Sequence, residues 1–132
     1  MIPPSNYMEG RDGERIAGTV CHWTTGSLAS ALAHFNDPLS RVSAHYILDR
    51  DGSIVPILPE ADTAYHAGNF DVNLTTVGIE HVAGPDFPPT DAQYAASARL
   101  HRDLSARYGF PLDAQHVRPH RVIVATECPG SL

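Results

Sequence analysis

An Asp-Gly pair at positions 51–52 divides two apolar runs in the stretch "AHYILDRDGSIVPIL" (44–58). This dipeptide tolerates the positive φ of a tight turn, so the runs are expected to fold back as an antiparallel hairpin. An all-helical chain is thereby excluded, and the remaining segments have to be arranged around a sheet. "RIAGTVCHW" (15–23) and "TTVGIEHVA" (75–83) carry the β-branched and apolar content of further short strands. Between them, "TGSLASALAHF" (25–35) places Leu28, Leu32 and Phe35 at helical spacing behind Ser27 as N-cap, and it should stop before Pro38. Thr90-Asp91-Ala92-Gln93 forms a capping box that opens a second helix, running to about Tyr108 and closed by Gly109. Tyr94, Ala98, His101, Leu104 and Tyr108 form its expected packing stripe. Residues 1–15 read as a loop or arm. The order strand, helix, hairpin, strand, helix, then a C-terminal loop or strand points to the α/β or mixed α+β class, a small sheet packed by helices.

A length of 132 residues fits one domain, residues 1–132. The net charge of −6 gives no electrostatic footprint for nucleic acid, so none is expected as a partner. No apolar run approaches a membrane span, and "MIPPSNYMEGRDGER" lacks the apolar stretch of a signal peptide. Two cysteines, Cys21 and Cys128, allow one disulfide at most. Eight histidines are many for so short a chain and direct attention to metal or acid–base chemistry.

Strand alternation sends Val77, Ile79 and His81 to one face of the 75–83 strand and Gly78, Glu80 and Val82 to the other. Glu80 is then either a solvent-facing residue or a carboxylate beside a cation or water, fit to act as a base. His22 ends a strand before a Thr-Thr-Gly loop, where a side chain projects from a rigid scaffold. Cys21 points the opposite way and reads as a small buried hydrophobe. In "HVRPHRVIVATECPG" (116–130) two ligand pairs compete. His116 and His120 could share a metal across one helical turn, but Pro119 and Val122-Ile123-Val124 argue against a helix. His120 and Cys128, joined by His22, would supply the three protein ligands of a catalytic zinc site. Spacing alone leaves that set open.

Four segments together resemble the zinc-dependent N-acetylmuramoyl-L-alanine amidases, which include amidase-type phage endolysins and are related to peptidoglycan recognition proteins. They are "GTVCHWTTGS", "VSAHYILDRDGSIVPILPEADTAYHAGN", "TVGIEHVA" and "HVRPHRVIVATECPGSL", in family order over residues 6–132. The resemblance implies that fold, with a small mixed sheet flanked by helices. It implies Zn2+ held by His22, His120 and Cys128, with Glu80 as the catalytic carboxylate and Thr126 as a donor to the transition state. His45, Tyr65, His66 and Asn69 would line the substrate groove; by position alone, Trp23 suits a core or rim aromatic as well as a substrate-binding sugar platform, and His116 is a candidate for orienting a ligand or loop.

The chain departs from the family pattern at Ala44, where recognition-protein amidases carry a catalytic Tyr, at Pro119 and at Tyr65. None of these removes a metal ligand. The implied substrate is bacterial peptidoglycan, cut between N-acetylmuramic acid and L-alanine by a monomeric enzyme. The implied setting is an endolysin made in the host cytoplasm and released with a holin. Two rivals remain at this stage: a non-catalytic peptidoglycan receptor of the same fold, and a structural or redox Cys21–Cys128 bridge.

Overall fold

In the computed structural model, which describes residues 2–132, the hairpin forms as expected. β3 (Tyr46–Leu48) and β4 (Ile54–Pro56) pair antiparallel, with Gly52 at φ 88° in the turn. β3 joins a five-stranded sheet of order β4-β3-β6-β2-β7, in which β2 is Gly18–Trp23, β6 is Thr76–His81 and β7 is Val117–Pro119. Apart from β4 all neighbours run parallel, so helices must cover both faces of the sheet.

On one face Leu48, Val77 and Ile79 pack against Ala96, Leu100 and Leu104 of α3 (Asp91–Tyr108). On the other, Ile47 and Val82 meet Phe35 of α1 (Leu28–Asn36). The alternation expected for residues 77–82 is thus realised.

Both long helices start where their capping residues stand. The Ser27 side chain accepts from Ser30 N, and the Thr90–Gln93 box is complete. Gly109 closes α3 at φ 78°. The packing stripe of α3, however, is Gln93, Ala96, Leu100, His101 and Leu104. Tyr94 and Ala98 face solvent, one step off the expected stripe. The reason is that Gln93 is anchored inward: its Nε2 donates to Leu48 O and Val82 O, which rotates the helix.

The N-terminal segment is docked rather than free. β1 (Tyr7–Met8) pairs with β5 (Thr63–Ala64), and Asn6 Nδ2 donates to Phe35 O and Asp37 O. Arg11 is buried and donates to Leu74 O and Thr76 O around α2 (Phe70–Thr75). Residues 122–124 form no strand; a 3-10 turn occupies His120–Val122 after β7. Among the described residues no helix is long and apolar enough to cross a membrane.

Candidate metal centre and active-site cleft

Parallel pairing of β2 with β6 sets His22 beside Glu80 on the α1 face, at the carboxyl ends of the strands. Such strand ends are where open α/β sheets place their ligand crevices. The chain returns to this point through β7, whose pairing with β2 delivers His120 just past the strand end. A loop then carries Cys128 back, and Trp23 N donates to its Sγ at 3.3 Å. The loop is held in place: Arg121 N donates to Cys128 O, Cys128 N donates to Thr126 Oγ1, and Gly130 lies against the Trp23 ring, where a Cβ would clash.

His22, His120 and Cys128 converge, with one potential ligand atom from each lying within 4.8 Å of the others. His22 Nδ1 is 3.7 Å from Cys128 Sγ, and the two imidazole centroids are 4.5 Å apart. Two imidazoles and a thiol suit zinc by chemistry as well as by number. Both rings are also braced at the far nitrogen, His22 Nε2 against His66 Nδ1 at 3.0 Å and His120 Nε2 against Ala67 O at 2.9 Å. Bracing of this kind is typical of metal-ligating histidines. The residues therefore fit the ion.

Electrostatics agree. Burial, with His120 and His81 nearby, drives His22 well below the usual imidazole range. Burial likewise lowers His120, against the opposing bond to Ala67. Both rings are thus kept neutral, the form able to ligate a metal. Burial pushes the Cys128 thiol up to about 12, and cation binding would displace its proton. Glu80 stands next to the cluster with Oε2 sealed from solvent and without a hydrogen-bond partner among the described residues. Burial raises its pKa to about 8. Unpaired buried carboxylates beside a ligand cluster mark functional sites more often than structural ones.

The cluster lies in a cleft of about 630 Å³ lined also by Trp23, Tyr65, His66 and Thr126. Two expected groove residues are placed otherwise. His45 is fully buried, its Nδ1 accepting from Gly78 N and its Nε2 bonding Asp62 O, and it does not line the cleft. Asn69 caps α2 through Val72 N and borders a hollow of about 470 Å³ that adjoins the cleft along Tyr65, His66 and His120. His116 is half-buried and paired with Asp113 at 2.6 Å, a contact within its own loop, and it does not line the cleft. The thiols of Cys21 and Cys128 are free and face opposite sides of the sheet, which removes the bridge reading. Sequence reasoning missed His34 and Ser30, which line the cleft from α1. An exposed helix face gives no pattern by which to single them out.

A mixed sheet with a His-His-Cys cluster and a buried carboxylate at its strand ends has the layout of a metal-assisted hydrolase domain. The chain belongs to the N-acetylmuramoyl-L-alanine amidase family, whose model matches residues 12–131. It is 35% identical over 108 residues to N-acetylmuramoyl-L-alanine amidase A of Achromobacter lyticus, covering 80% of this chain and 59% of that protein. A selenomethionine derivative of AmpD superposes with TM-score 0.78 at 27% identity, over 99% of this chain and 86% of the other. A mutant endolysin from Bacillus subtilis gives 0.72 at 28%, over 98% and 86%. The chain thus spans under two thirds of the Achromobacter relative.

Proposed function

We propose that residues 1–132 form one zinc-dependent catalytic domain that hydrolyses the amide between N-acetylmuramic acid and L-alanine in peptidoglycan. The observation that carries this reading is the meeting of His22, His120 and Cys128 within 4.8 Å, with the unpaired Glu80 alongside. The family match and the similarity to named amidases support the bond chosen.

His22, His120 and Cys128 would hold the ion. When bound there, zinc supplies Lewis acidity that acidifies water and polarises a carbonyl. Positive charge next to Glu80 favours its carboxylate form, against the burial that otherwise raises it. Glu80 then takes a proton from the attacking water and delivers it to the departing L-alanine amine. The Thr126 hydroxyl oxygen already accepts from Cys128 N, so its hydrogen is free to donate to oxygen charge developing in the cleft. Trp23 and Tyr65 supply walls of half-buried aromatic surface for the glycan and stem peptide. His66 is at the floor of the cleft, behind the ligands rather than in front of them.

The setting we favour is a phage endolysin, made in the host cytoplasm, released with a holin and acting as a monomer. The resemblance to an endolysin supports it.

Mass spectrometry of purified cell walls after digestion tests the reading. Stem peptides with a free L-alanine amine should be released by wild-type protein carrying one zinc per chain. Folded His22→Ala and Cys128→Ser should lose both zinc and release. Zinc-free wild type, or release of other bonds, would overturn it. Zinc without any release would instead indicate a receptor.

A further inference from the structure

The His66 ring stands between the metal cluster and β6, and its hydrogen bonds run in one direction. Thr76 Oγ1 lies 2.7 Å from Val72 O. A carbonyl has no hydrogen to give, so the Thr76 hydroxyl must donate there. The same Oγ1 is 3.2 Å from His66 Nε2 and, with its hydrogen committed, accepts from that nitrogen. His66 Nδ1 is left as an acceptor, and His22 Nε2, at 3.0 Å, donates to it. His22 consequently presents a bare Nδ1, the nitrogen that faces Cys128.

The next residue does the same for the other histidine. His120 Nε2 donates to Ala67 O, which leaves its Nδ1 bare. The two-residue segment is itself fixed, because Asn73 Oδ1 accepts from His66 N at 3.2 Å and Ala67 N at 2.8 Å. β6 makes room for the ring only through a glycine. A Cβ on Gly78 would stand 2.5 Å from His66 Cγ.

We propose that His66 is a positioning residue for the metal centre, relaying to His22 a hydrogen-bond direction set by Thr76. The inference rests on reading the cluster as a zinc site. It moves His66 from the substrate groove to the support of the ligands. Thr76 touches neither ligand nor cleft, yet it decides which His22 nitrogen carries the proton. Without its hydroxyl, His66 is free to carry its own hydrogen on Nδ1. His22 Nε2 would then accept, and the His22 hydrogen would sit on the nitrogen a cation needs.

The test is zinc affinity, measured by competition with a chromophoric chelator and independent of catalysis. Thr76→Val keeps the shape, removes the hydroxyl, and should weaken zinc binding about tenfold or more, while Thr76→Ser should stay within about threefold of wild type. A second pair guards against misfolding. His66→Asn retains an acceptor toward His22, His66→Leu does not, and the former should bind zinc about tenfold tighter. Far-ultraviolet circular dichroism confirms that each variant is folded. If wild type binds no zinc, the reading of the cluster itself fails. If wild type binds one zinc, and folded Thr76→Val or the His66 pair shows no such difference, the positioning role is overturned.

Discussion

Exchanging Glu80 for Gln asks whether this carboxylate sits where stability alone would not put it. Its Oε2 is sealed and unpaired, and burial moves its pKa from 4.5 to about 8. In the metal-free protein the native state therefore keeps a proton that the unfolded chain releases. Below pH 4.5 both states are protonated and the side chain contributes no pH dependence. As pH rises toward 8 the unfolded state is progressively favoured, and the penalty levels off beyond that. At pH 7 the gap converts to an upper bound of ~3.5 kcal/mol, at ~1.4 kcal/mol per unit.

Gln is neutral throughout and removes this penalty. Melting curves of chelated wild type and Glu80→Gln should therefore coincide near pH 4 and diverge as pH rises. By pH 7 the variant should melt several degrees higher, at ~2–8 °C per kcal/mol. With zinc restored, the same variant should lose ~10²–10⁴ in hydrolysis, the usual range for a general base. Parallel melting curves across pH 4–9, or a variant that melts lower throughout, would refute the reasoning. They would mean that Glu80 is hydrated or paired in solution.

Gly78→Ala should lower both zinc affinity and melting temperature, because the new methyl meets the His66 ring at 2.5 Å and backbone on β6 cannot yield; chelator competition and a thermal melt read the two effects. Gln93→Leu should cost about 1–3 kcal/mol in urea unfolding, since it removes one of two donors from each of the Leu48 and Val82 carbonyls, which keep Val82 N and Arg50 Nη1, and breaks the α3 capping box. Burial opposes ionisation of Glu60, but bonds from Tyr108, Tyr46 and Arg107 together hold its pKa below the usual 4.5. That stabilisation is present at neutral pH and lost as pH falls through the lowered pKa. Glu60→Gln should therefore melt lower than wild type at pH 7 and match it in strong acid; an equal deficit at both would refute the assignment.

Signals confined to neighbouring residues were readable from the chain. Ser27 and the Thr90–Gln93 box mark helix starts because a cap acts within one turn of the residue that makes it. Asp51-Gly52 marks the hairpin, and strand alternation separates Glu80 from His81, for the same local reason. What failed was the partner of a polar side chain distant in sequence. Gln93 turns α3 by reaching Leu48 O, 45 positions away, and no 3.6-residue period contains that bond.

His45 and His66 show the same limit within one motif-rich stretch. As residue types both suit a groove, but the Gly78 backbone captures the first and His22 the second. Resemblance could name three candidate metal ligands, because ligand type is a property of side-chain chemistry. It could not say which nitrogen of each ring is left free for an ion, because that is decided by the acceptor on the other side. Here the acceptors are a second imidazole and the Ala67 carbonyl, held together by one asparagine, Asn73. The cluster is therefore assembled by two strand ends and a loop, while the short segment at 66–67 braces both imidazoles, a contact that appears only once the chain is folded.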